Sequence, residues 1–199
     1  MKRIFAIILV VCLCISLCAC DEEEKQEEKQ TDTLEIKNVS LEVPIYWTEE
    51  GSKKGSLKYY AEEHSEGLTT YKSATLNIEF GEDDDPNYEV TFDGLYADNE
   101  NMIKVFEKRY SGANVLSDKV YQTQHGVKGM LYHFSHNISV GLFGEEPAEG
   151  YCFCFASEAD RRWYYITIMI TQDATDHDYE KDYMDMIASI QCEGNAETE

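Results

Sequence analysis

Residues 150–156 read Gly-Tyr-Cys-Phe-Cys-Phe-Ala, and the five positions from Tyr151 to Phe155 are all apolar. Successive side chains of a strand leave opposite faces, so Tyr151, Phe153 and Phe155 point one way and Cys152 and Cys154 the other. A strand that is apolar on both faces belongs inside a sheet that is covered on both sides. Residues 163–171 form its hairpin partner, with Tyr164, Ile166, Ile168 and Ile170 on one face and Trp163 and Tyr165 on the other. A second hairpin pairs 115–124 with 127–137 around His125-Gly126.

The remaining pattern supplies shorter strands and two covering helices. Leu34, Ile36, Val39, Leu41 and Val43 recur near period two up to Pro44, and a break at Asn38 allows either two short strands or one bulged strand. Residues 57–63 and 75–81 read as strands, followed by an acidic turn at 82–87 and a short strand at 88–92. Met102, Ile103, Phe106 and Tyr110 recur at helical spacing behind a cap at Asp98 or Asn99, which predicts a helix over 99–110. A closing helix capped near Thr175 or Asp178 runs through Ile190, with Tyr179, Tyr183, Met186, Ile187 and Ile190 as its stripe. The fold class expected is α+β, an antiparallel sheet flanked by helices.

The first twenty residues are of another kind. Lys2 and Arg3 precede an apolar run over 4–17 broken only by Ser16, too short and wrongly flanked for a stable membrane span. Leu17-Cys18-Ala19-Cys20 resembles the lipobox of bacterial lipoproteins, in which the final cysteine receives the lipid. The resemblance implies a signal peptide over 1–19 and a mature chain that starts at lipidated Cys20, anchored in a lipid bilayer on the extracytoplasmic face. Each buried acyl CH₂ contributes about 0.8 kcal/mol, so two or three chains make a stable tether. Residues 21–33, DEEEKQEEKQTDT, hold no apolar side chain and cannot offset their ordering entropy by burial. They are expected to form an extended acidic tether, with one domain over 34–192 and a flexible tail over 193–199.

Three segments carry a further likeness: Leu41-Glu42-Val43-Pro44-Ile45-Tyr46-Trp47, the strand 127–134, and 164–170 with the helix ending Ile187-Ala188-Ser189-Ile190. Together with the element order they resemble the PsbP/Mog1-like domains found in small bacterial lipoproteins. The resemblance implies an α/β/α sandwich around an antiparallel sheet, with scaffold or binding roles and no shared catalytic set.

Charge excludes one class of partner. Net charge is −22, and becomes −24 when the leader leaves with Lys2 and Arg3 and no acid. Such a surface repels phosphate backbones, so no nucleic-acid partner is expected. Of seven cysteines, Cys152, Cys154 and Cys192 remain after the leader and Cys20 are set aside. An odd number leaves at least one thiol unpaired; a bond from Cys152 or Cys154 to Cys192 stays open beside the alternative of buried, unpaired thiols.

Searches for chemistry return no catalytic residue, cofactor site or metal site. His133 and His136 are three apart on a strand, which sends them to opposite faces, and His64, His125 and His177 fall in turns or near a helix start. Asp83, Asp85, Asn87 and Glu89 alternate like the opening of a calcium loop, but Tyr88 and Gly94 stand where that loop needs glycine and a bidentate acid. Gly51-Ser52-Lys53-Lys54-Gly55 does not place serine as a nucleophile elbow does. Among the aromatic residues, Trp47, Trp163 and Tyr165 are candidates for a ligand platform, with core packing as the alternative. The expected function is a monomeric, membrane-anchored binding or scaffold module for a protein, peptide or glycan. Its alternatives are a cell-envelope hydrolase, metal-dependent or not, and a structural spacer.

Overall fold

Apolar alternation dictates the centre of the architecture, and the computed structural model places it there. Residues 30–66, 69–82, 90–110, 112–139, 145–171, 174 and 177–193 are described. Cys20 and the leader lie outside them, as do Asp83, Asp85, Asn87, Glu89 and residues 194–199.

Strands β1 (Thr31–Ile36) and β2 (Val39–Pro44) form a first hairpin. Strands β3 (Thr48–Lys53), β4 (Ser56–Glu66) and β5 (Thr69–Glu82) follow as a meander. Helices α1 (Phe92–Ala97) and α2 (Asn99–Arg109) lead to β6 (Asn114–Gln122), β7 (Lys128–Ser139), β8 (Glu145–Ser157) and β9 (Arg162–Thr171). Helix α3 (Tyr179–Ala188) and the two-residue β10 (Gln191–Cys192) close the described chain. The large sheet has the order β3-β4-β5-β9-β8-β7-β6, and β1-β2-β10 form a small one. Every pairing is antiparallel.

Strand β8 is interior, and each of its faces has its own cover. Tyr151, Phe153 and Phe155 join Tyr164, Ile166, Ile168, Leu76 and Ile78 in a core closed by α3 and by Ile36, Val39, Leu41 and Val43 of the small sheet. Cys152 and Cys154 face the other way, into a core with Met130, Tyr132, Phe134, Leu95 and Phe106 under α1 and α2. Burying each of the larger side chains contributes about 1.5–3 kcal/mol. Tyr183 of α3 also enters the sheet: its hydroxyl donates to the Ile166 carbonyl at 2.6 Å and accepts from the Phe153 amide at 2.7 Å.

Several expectations are corrected. Strand β1 starts at Thr31, within the stretch 21–33 expected to be tether: Thr31, Asp32 and Thr33 pair with Pro44, Val43 and Glu42. The described part of the expected strand at 88–92 is not a strand: Thr91, itself extended, caps α1 through its hydroxyl, which accepts from the Gly94 amide at 3.2 Å, and Phe92 is already helical. His64 lies in β4, opposite Tyr71, and not in a turn. Helix α3 ends at Ala188, and Ile190 reaches the core from beyond its end, where the chain turns into β10. The expected antiparallel sheet flanked by helices is present, and on the α3 face the small sheet shares the cover with the helix.

Candidate functional site

The proposed aromatic platform does not assemble. Trp47 is buried, 6% exposed, in the α3-side core, whereas Trp163 and Tyr165 pack on the α1/α2 side of the sheet. Strand periodicity kept Trp163 and Tyr165 together but says nothing of a residue from another element. The cysteines are separated in the same way. Cys152 and Cys154 lie on the face opposite the core against which Cys192 packs, and all three are free. Burial pushes the Cys152 thiol up to about 12 and Cys154 well above its ordinary value, so neither offers a thiolate at neutral pH. His133 and His136 do face apart: His133 stacks on Tyr151, while His136 is buried beside Tyr110 and Phe134. Among the described residues, no three His, Cys, Asp or Glu side chains converge as metal ligands.

Among the described residues, two concavities lie at opposite ends of β9. The first, about 320 Å³, lies where β9 ends and α3 begins and is lined by Glu149, Tyr151, Thr171, His177, Asp178 and Glu180. Its polar groups are engaged with each other or with the frame. His133 stacks on Tyr151 with ring centroids 4.5 Å apart and places Nε2 3.4 Å from a Glu149 oxygen, which the Tyr151 hydroxyl approaches at 3.5 Å. Burial, then the neighbouring Glu180 carboxylate, raises the pKa of Tyr151 and keeps it a donor. His177 stacks on Tyr46 at 4.4 Å and lies 3.5 Å from Glu62. Tyr46 in turn donates a short hydrogen bond to the buried Asp182 of α3, and burial raises its pKa as well. Asp178 caps α3 by accepting from the Lys181 amide at 3.1 Å, and the Thr171 hydroxyl donates to the Ser73 carbonyl at 3.2 Å. This end ties α3 to the sheet and to the β2–β3 connection.

The second concavity, about 610 Å³, lies where β9 begins. Two turns and a pair of strand ends meet there. Lys37 comes from the β1–β2 turn, Lys53 from the end of β3, Lys54 from the β3–β4 turn, and Phe80, Glu82 and Arg162 from the paired ends of β5 and β9. The β3–β4 turn is held in place by the Phe80 amide, which donates to the Gly55 carbonyl at 2.9 Å. Only glycine fits at Gly55: φ is +79°, and a Cβ would sit 2.7 Å from the Phe80 carbonyl oxygen. Arg162 is already satisfied by Asp160, at 2.8 Å, and by Glu82. Lys37, Lys53 and Lys54 are exposed and have no hydrogen bond or ion pair among the described residues. Sequence reasoning passed over this cleft. Its signal was present in Lys53-Lys54 and Arg161-Arg162, paired cations in a chain where acids outnumber bases 39 to 17.

No protein-family model matches the sequence, and no curated protein matches it. Among solved structures, the Ran-binding protein Mog1p of Saccharomyces cerevisiae superposes with a TM-score of 0.52 at 9% identity, covering 82% of this chain and 96% of that one. The fold is Mog1-like. A point mutant of Mog1 gives 0.49 at 8% identity with the same coverage. At these identities the likeness concerns fold alone, which bears out the expected antiparallel α+β architecture.

Proposed function

We propose that this chain is an extracytoplasmic binding module, anchored in a membrane by lipid on Cys20 and held off it by the acidic segment that follows. The folded domain, and not that segment, makes the contact. The observation that carries the reading is the contrast in charge pairing: a chain of net charge −22 gathers on one cleft three lysines that have no partner among the described residues, while the polar groups of the other cleft are engaged with each other or with the frame. Exposed ammonium groups gathered on one cleft raise the local potential there and attract an incoming anion. The Mog1p structure is that of a Ran-binding protein, and a binding role on the same fold is in keeping with this reading by analogy only.

Membrane fractionation with mass spectrometry of the N-terminus tests the anchor. Cys20→Ser is expected to move the protein out of the membrane fraction, and an intact leader or an unmodified terminus elsewhere would remove the reading. Replacing residues 21–30 with a neutral linker of equal length is expected to leave affinity for a partner within about threefold, roughly 0.65 kcal/mol, because a linker sets reach and not contacts.

A further inference from the structure

We infer that the cleft between the β1–β2 turn, the β3–β4 turn and the start of β9 binds an organic molecule carrying two or more phosphate groups. This rests on the binding-module reading and names the ligand class of that same site. The available cations are Lys37, Lys53 and Lys54, while the Arg162 fork is occupied by Asp160 and Glu82. Planar, bidentate recognition of a carboxylate draws on a free guanidinium fork, and no such fork is offered. Lysine ammonium groups act as point charges without a preferred plane. They suit tetrahedral phosphate, whose oxygens can be shared among several donors.

Size and lining argue for an organic, multivalent ligand over a single inorganic ion. At about 610 Å³ the cleft falls in the range that holds small molecules and far exceeds one phosphate. Phe80 gives it an apolar wall, stacked from behind on Tyr164 at 5.9 Å. Three cations from two hairpins call for more than one anionic group. The strongly acidic remainder of the molecule makes the salt dependence distinctive. At 0.01 M ionic strength the screening length is about 30 Å, and distant carboxylates oppose an incoming anion; at 0.15 M it is about 8 Å, and the lysines act nearly alone. Affinity is therefore expected not to weaken between these two conditions, and to fall only at higher salt.

Calorimetric titration of the full chain in detergent micelles with a hexose bisphosphate tests the assignment. Saturable binding is expected, at least tenfold tighter than for inorganic phosphate. It should weaken at least tenfold in Lys53→Gln/Lys54→Gln and in Lys37→Gln, and stay unchanged in Lys119→Gln, an exposed lysine on β6. A glutamate-rich peptide that binds as tightly at the same lysines would overturn the phosphate class and leave the binding-module reading in place. Absence of binding by the bisphosphate, or binding that survives all the cleft variants, would overturn the site. Membrane release by Cys20→Ser is independent of either result, so failure here and failure of the anchored reading are separable.

Discussion

The two concavities lie at opposite ends of β9, about 30 Å apart along the strand, and are built on opposite plans. At the Thr171 end, acids, histidines and tyrosines answer one another: His133 with Glu149, His177 with Glu62, Tyr46 with Asp182. At the Arg162 end, one arginine is satisfied twice while three lysines stand without partners among the described residues. A set of polar groups that satisfies itself fixes structure, because breaking one member strands the others. A set left unsatisfied at the surface costs the fold little and is available for a ligand. On the proposed reading, the acidic end holds the domain together and the basic end makes the contact with a ligand.

Stability measurements can break or sharpen this division. The largest effect is expected from Ile187→Asp in α3, the helix that the acidic end secures. It places a charge at a position with no exposure, which costs several kcal/mol and is expected to unfold the domain, as read by loss of a cooperative thermal transition. Tyr183→Phe removes the hydroxyl shared by the Phe153 amide and the Ile166 carbonyl, and denaturant melts are expected to show a loss of about 2–4 kcal/mol. Tyr46→Phe leaves buried Asp182 without one of its donors and should cost about 1.5–3 kcal/mol in the same assay. At the other end, Gly55→Ala meets both an unfavourable φ and the Phe80 carbonyl, and about 1–2 kcal/mol is expected. Lys53→Gln/Lys54→Gln should stay within about 0.5 kcal/mol of the parent. Comparable losses from the tyrosine and lysine variants would erase the distinction between the two ends.

What could be read from the sequence follows the same division. The doubly apolar run from Tyr151 to Phe155 announced an interior strand, and Tyr179, Tyr183, Met186 and Ile187 announced the helix that covers it, because burial writes a period into the chain. Strand β3 left no such trace: Thr48–Lys53 is exposed at every position, and its pairing with β4 comes from neighbours and not from its own pattern. Helix α1 was masked by alternation through Phe92, although Thr91 was a legible cap. Trp47, Trp163 and Tyr165 were misgrouped because periodicity assigns faces within one strand and not between elements. The basic cleft needs two turns to meet the paired ends of β5 and β9, one turn being fixed by the bond between Phe80 and Gly55, and no local pattern encodes that meeting.

The central claim is that ligand contact belongs to the Arg162 end of β9. Amide shift mapping of the full chain in detergent micelles, titrated with a hexose bisphosphate, tests it most directly. The expected result is a saturable set of shifts at Lys37, Lys53, Lys54, Gly55, Gly81 and Arg162, with Tyr151, Thr171 and His177 unmoved. Shifts centred on Tyr151, Thr171 and His177, with the lysine turns silent, would contradict the account.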